Sequence, residues 1–287
     1  MQMYTLSMAE SGVEFLEKAM EFWNSKFTEI VSILTTSPEN LYPGIWNAMT
    51  DINGYIAGIS VVIAVIFFYL GFMRSSLRFE ELRRPERFFG YFIRLALALF
   101  LVSSSQSLLL SILQIFQGTI VQILKLNGTG ITAEDGLVDG FPDELRTIIT
   151  NSGMFEGMGI MLFAFVAAAF VFALSLVLLL IVYLRFFRIY IYAAVSPFAL
   201  SSFAGESTSR IGRTFIMNYL AVCLQGIVIT IAFIIFANLV QSDFTVNTNE
   251  SAISNMFDYV GTVILGQLLL VATVRASDRL TKEMIGG

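Results

Sequence analysis

The chain has 287 residues, 56% of them apolar and only 14% charged, with 27 Phe against 17 Lys plus Arg. Soluble domains carry about 25% charged residues, so the composition excludes a large soluble catalytic domain and defines a polytopic membrane protein. The net charge of −5 argues against a general nucleic-acid-binding surface. With no His and one cysteine, Cys223, the chain has no disulfide, zinc set or imidazole base of its own.

Residues 1–51 read as an exterior amphipathic helix and linker. Val13, Leu16, Met20, Trp23, Phe27, Ile30 and Leu34 recur at 3,4 spacing, a helical seam, while Glu10, Glu14, Glu17 and Glu21 cover much of the other side. Such a seam either lies flat on the outer leaflet or pairs with a second copy or another subunit. The acidic face disfavours anionic lipid, so protein pairing is the expectation. "SPENLYPG" ends the helix, and no basic leader or small-residue cleavage site marks a signal peptide.

Windows of about 20 apolar residues then mark five spans. The first, 52–73, holds Gly54 and Gly58, a small-xxx-small face for close helix packing. A basic loop at 74–87 leads into the second, apolar from Phe88 to about Leu110 with an amphipathic continuation, so that 52–126 forms one hairpin of spans. Residues 127–157 form an acidic, glycine-rich exterior loop in which Glu134, Asp135, Asp139, Asp143 and Glu144 are a solvated rim, and "FPDELRTII" reads as a short helix. The third span is 158–184, the fourth 214–240 and the fifth 259–274, with an exterior loop at 241–258 and a tail at 275–287.

Charge orients them. Thirteen of 17 basic residues fall in 74–94, 185–213 and 275–287, while the opposite side holds 16 of 22 acids. Positive-inside then gives an exterior N-terminus and a cytoplasmic C-terminus. Residues 185–213, basic at both ends and interrupted by Pro197, read as a proline-broken re-entrant or interfacial elbow on the cytoplasmic side. The alternative is a short kinked sixth span. The fold class is therefore all-α: a multi-pass protein of the bacterial cytoplasmic membrane.

Inside the spans the one ionisable residue is Arg94, placed to snorkel. Ser104, Gln106, Asn218, Gln225 and Gln267 suit interhelical hydrogen bonds or a weakly polar lining. No phosphate-binding glycine loop occurs, so no cofactor is expected, and any ATP would be hydrolysed by a partner. No nucleophile-and-base pair argues for an enzyme.

The stretch from Ala194 to Ile229, "AVSPFALSSFAGESTSRIGRTFIMNYLAVCLQGIVI", resembles the signature region of the TrbL/VirB-six-type channel subunits of conjugative type IV secretion systems. The matching positions include Ser196, Pro197, Arg210, Gly212, Arg213, Gln225 and Gly226. The resemblance implies a homo-oligomeric translocation channel of a mobile genetic element. It would help single-stranded DNA with its attached relaxase cross the membrane beside a VirB-four-type ATPase and other secretion subunits. Ser196, Pro197, Arg210, Gly212 and Arg213 become candidates for partner or DNA contact. The chain departs from many relatives in its short exterior loop between spans two and three. The competing reading is a small-solute permease.

Overall fold

The computed structural model describes residues 2–76, 85–126, 142–150, 154–241 and 251–285, and every regular element among them is helical. The centre of the arginine-rich loop, the acidic positions Glu134, Asp135 and Asp139, and residues 242–250 lie outside the described residues.

Helix α1 (Gln2–Thr35) is followed by the single turn α2 (Pro38–Leu41) and by α3 (Pro43–Ser76). Pro38 and Pro43 each open a helix, where a missing N–H costs nothing. Helices α4 (Pro85–Ser103) and α5 (Ser105–Leu126) meet at Ser104. Backbone bonds still cross the joint, Ser104 N to Phe100 O at 3.0 Å and Leu108 N to Ser104 O at 3.0 Å, so it is a kink rather than a loop. The Ser103 hydroxyl donates to the same Phe100 carbonyl at 2.9 Å, the local competition that bends helices at serine. This corrects the second span: the long apolar window is Ser105–Lys125, and Phe89–Ser103 is a shorter apolar helix before it. Helix α6 (Asp143–Thr150) follows Pro142 as expected.

Helix α7 (Met154–Ser201) has 48 residues. At 1.5 Å per residue that is about 72 Å, more than twice a ~30 Å hydrocarbon core. It takes in the third span and most of the expected elbow, and Pro197 lies inside it without breaking it. The chain reverses later, through a 3-10 turn (Ser202–Ala204) and Gly205–Thr208, into α8 (Ser209–Gln241). Thr208 Oγ1 donates to Ser202 O at 2.8 Å and Ser209 N to Gly205 O at 3.1 Å, which locks the turn. Helix α9 (Ala252–Ile285) completes the chain. Five helices carry windows long and apolar enough to cross a membrane: Pro43–Met73, Ser105–Lys125, Phe155–Ala204, Ser209–Asn238 and Ala252–Ile285.

Two compact units organise these helices. The first gathers residues to Thr35, Ile120–Tyr183 and Ile227–Ser277. Its core is built on the α1 seam, all seven positions of which are buried. Trp23 packs on Phe236 (ring centroids 6.1 Å), Phe27 meets Phe233 edge-on at 4.9 Å, and Tyr259 points its hydroxyl at the Met20 sulfur. Gly12 lets α1 lie directly on α7: a Cβ there would sit 2.9 Å from Met161 Cα. Tyr183 donates to Glu29 at 2.7 Å and Arg146 pairs with Glu17. The Lys26 ammonium, 2.8 Å from the other Glu29 oxygen, holds that carboxyl below its usual range against partial burial. The seam is thus covered by helices α7, α8 and α9 of the same chain, and the lipid surface or second copy expected there is not what buries it. Withdrawing each large side chain from water is worth about 1.5–3 kcal/mol, enough for a charged-backed helix to dock without a partner subunit.

The second unit gathers Thr36–Thr119, Leu184–Gly226 and the residues from Asp278. One cluster joins Leu109, Leu113, Ile189, Tyr219, Val222 and Cys223. Another joins Ala64, Ala98 and Ala204, with Phe67, Leu95 and Phe203 packed around them. Small residues let α3, α4 and the 202–208 turn close up. Gly205 is a point of close approach: a Cβ there would lie 2.8 Å from the Phe67 carbonyl oxygen.

Candidate functional site

The chemistry of the second unit lies in hydrogen bonds between helices. Pro197 has no N–H, so the Ala193 carbonyl one turn earlier loses its ladder donor. Asn53 of α3 supplies a replacement: its Nδ2 donates to Ala193 O at 2.6 Å, and it lies 3.2 Å from Ser196 Oγ and 3.4 Å from Ser105 Oγ. Ser196 Oγ adds a donor to the same carbonyl at 2.9 Å. All three side chains are buried. The proline, the orphaned carbonyl and the amide on a separate helix form one polar knot joining α3, α5 and α7.

Other ties run alongside it. Arg185, 2% exposed, donates from Nε to Val222 O at 2.9 Å and from Nη2 to Cys223 O at 3.4 Å, clamping α7 to α8. Tyr219 donates to Leu109 O at 2.7 Å and Tyr190 to Pro38 O at 3.0 Å. Gln106 donates to Thr50 Oγ1 at 2.6 Å, the α5–α3 bond that an amide in this span suggests. A carbonyl has a second lone pair, so these donors add to the helical ladders without breaking them.

Of the contact candidates, Ser196, Pro197 and Gly212 are buried among this chain's own groups. A Cβ on Gly212 would meet Phe203 Cε2 at 2.6 Å and Ser202 Oγ at 2.8 Å, so this glycine seats α8 against the turn. A molecule approaching this face therefore meets Arg210 and Arg213, which are exposed, and not the other three. Among the described residues neither arginine has an ion-pair partner. Arg94 stands 3.7 Å from Glu206 and is 39% exposed.

The remaining lining candidates divide. Ser104 marks the α4–α5 kink. Gln225 and Gln267 are buried within the chain. Neither amide atom of Gln267 has a hydrogen-bond partner among the described residues, so the interhelical bond expected of it is not made. Asn218 is exposed and makes no hydrogen bond among the described residues. Gly54 and Gly58 have open space where a Cβ would stand, so the close approach expected of them is not used within this chain. Sequence reading missed Asn53 and Arg185. The first looked like part of a glycine motif and the second like a flanking charge.

Beside α8 lie two cavities. One, of about 540 Å³, is lined by Ser209, Arg210, Arg213, Thr214, Asn218 and Lys282, among others. The second, of about 560 Å³, is walled by Ile191, Val195, Phe198, Ile211 and Phe215, with Arg188 and Asp278 at its rim. Asn218 and Lys282 belong to both. Asp278 is held by Arg188 at 2.6 Å and by Lys282 at 3.0 Å.

Helices of this length and hydropathy, tied by amides and hydroxyls, define a multi-pass α-helical protein of the inner membrane. Residues 23–197, more than half of the chain, match the family described as TrbL/VirB6 plasmid conjugal transfer like protein. The chain belongs to this family, and it is a component of a conjugal transfer, or type IV secretion, system. Its partners are accordingly the membrane-associated parts of such a system. The matched region ends at Pro197, so it takes in only the first four residues of the stretch that carried the resemblance in sequence. No curated protein and no solved structure matches the chain.

Proposed function

We propose that this protein is a channel or scaffold subunit through which single-stranded DNA, with its relaxase attached, crosses the cytoplasmic membrane. It would act as a homo-oligomer beside a VirB-four-type ATPase and would catalyse nothing itself. The family match over residues 23–197 carries this reading. The apolar exposure of the spans supports assembly: only 11% of the α3 window is buried within one protomer, leaving Tyr55, Ile59, Val62 and Ile66 to face lipid or neighbouring copies. The cationic ends of α4 and α8 would then face the cytoplasm, with residues before Asn53 outside.

The test is in-frame deletion with complementation. Loss of DNA transfer with solute uptake intact is expected. The opposite result, transfer intact and one class of solute no longer accumulated, makes the protein a permease. Cryo-electron microscopy of the assembly in nanodiscs should find several copies around a centre free of lipid.

A further inference from the structure

We infer that the paired cavities beside α8 form a binding site for an anionic glycerophospholipid. The phosphate would sit on Arg210, Arg213 and Lys282, and one acyl chain would run along Ile191, Val195 and Phe198.

The two cavities supply the two halves of an amphiphile. The first carries Arg210 and Arg213 one turn apart on one face of α8, with Lys282 reaching in from α9. Taken together the walls hold four cations, Arg188, Arg210, Arg213 and Lys282, against one carboxylate, Asp278, which two of those cations already occupy. Arg210 and Arg213 have no carboxylate partner among the described residues, and the positive end of the α8 dipole lies beside them at Ser209. An ammonium leaves that charge unanswered and a zwitterionic headgroup adds a cation of its own, whereas the phosphodiester of an anionic lipid answers it and accepts hydrogen bonds from both guanidinium groups.

The second cavity settles the source of the phosphate. Its apolar wall is exposed: Ile191 61%, Val195 38%, Phe198 50% and Ile211 52%. A free phosphate has no use for such a wall, and a nucleic-acid strand would use only its two rings, Phe198 and Phe215, whereas an acyl chain uses the aliphatic Ile191, Val195 and Ile211 as well. Basic pockets between membrane helices hold lipid headgroups by this combination of charge and adjoining apolar surface. Asn218 lines both cavities, and its amide, unbonded among the described residues, would meet the glycerol ester region of a lipid so placed.

The experiment is native mass spectrometry of the full-length protein, titrated with 1-palmitoyl-2-oleoyl-phosphatidylglycerol and, in parallel arms, with the phosphatidylcholine of the same chains, glycerol-1-phosphate and a short oligo-dT. Retention of phosphatidylglycerol over the other three is expected. R210A/R213A should weaken that binding about thirtyfold, roughly fivefold for each cation removed. R210K/R213K should retain most of it, and V195N should weaken it with every charge in place. These substitutions fall on exposed side chains, and circular dichroism checks the fold of each. Equal retention of phosphatidylcholine, or phosphatidylglycerol binding unchanged in R210A/R213A, overturns the site. So does oligo-dT binding that depends on the same arginines, which makes the groove a nucleic-acid contact. A copy-number change in R210A/R213A without lipid retention in the parent makes it a subunit interface and overturns the site equally.

Discussion

Asn53 is the residue on which the second unit's polar packing turns. Pro197 removes the donor for Ala193 O, and Asn53 Nδ2 replaces it across two helices at 2.6 Å. Interhelical hydrogen bonds of this kind are worth about 0.6–2 kcal/mol in membranes. N53A is therefore expected to lower the thermal midpoint by an amount of that order, with Ser196 left as a weaker donor. P197A restores the backbone N–H, so in the N53A/P197A double variant much of the N53A loss should be recovered, a coupling that a double-mutant cycle reads directly. Additive losses in the cycle would show that the two residues act independently. Nothing in the sequence joined them: they are 144 positions apart, and Asn53 read as the neighbour of a glycine motif. Pro197 was legible as a lost backbone donor, although the helix runs through it rather than breaking there. That its cost would be met from another helix was not, because the donor is fixed by tertiary packing.

Elements divide in the same way between what pattern dictates and what packing adds. The α1 seam was legible to the residue, because 3,4 spacing on a helix backed by glutamates leaves one face to bury. What covers that face was not, since Phe233 and Phe236 of α8, more than 200 residues away, supply rings to it. The α4–α5 kink was hidden because the apolar residues on both sides of Ser103–Ser105 carry the span pattern across them. Glycine shows the contrast most sharply. Gly54 and Gly58 carry the motif yet have open space around them, while Gly205, outside any motif, lies against the α3 backbone. G205A forces a Cβ onto Phe67 O and should destabilise the protein by about 1–3 kcal/mol. G54A and G58A should hold or raise the midpoint, by up to about 1 kcal/mol each through helix propensity. Thermal unfolding in detergent separates these outcomes. A G54A or G58A loss as large as that of G205A would mean that α3 packs on a second copy through those glycines.

For the whole molecule the open quantity is sidedness, and the second unit constrains it. From Asn53 to Gly71 α3 rises about 27 Å, close to the hydrocarbon thickness of ~30 Å. The turn after α7 packs towards the C-terminal end of α3, with Gly205 on Phe67 and Glu206 beside Arg94. Between Met154 and Ser201 there is one uninterrupted helix. A sixth span at 189–204 would require a reversal that the helix does not contain. The end of α9 converges on the same region, since Lys282 and Ile285 share a cavity with Ser209 and Arg210. Asp278 lies one turn before Lys282 on α9 and pairs with Arg188 of α7. Helix α9 continues past residue 274 to Ile285, and the charge of Asp278 is neutralised by Arg188 and Lys282. Single-cysteine labelling tests this arrangement, and native Cys223 is fully buried and leaves a quiet background. S207C and K282C should react with an impermeant maleimide only after the membrane is opened, and N47C in intact cells. If S207C reacts in intact cells while K282C stays protected, the turn and the tail lie on opposite faces and the five-span arrangement fails.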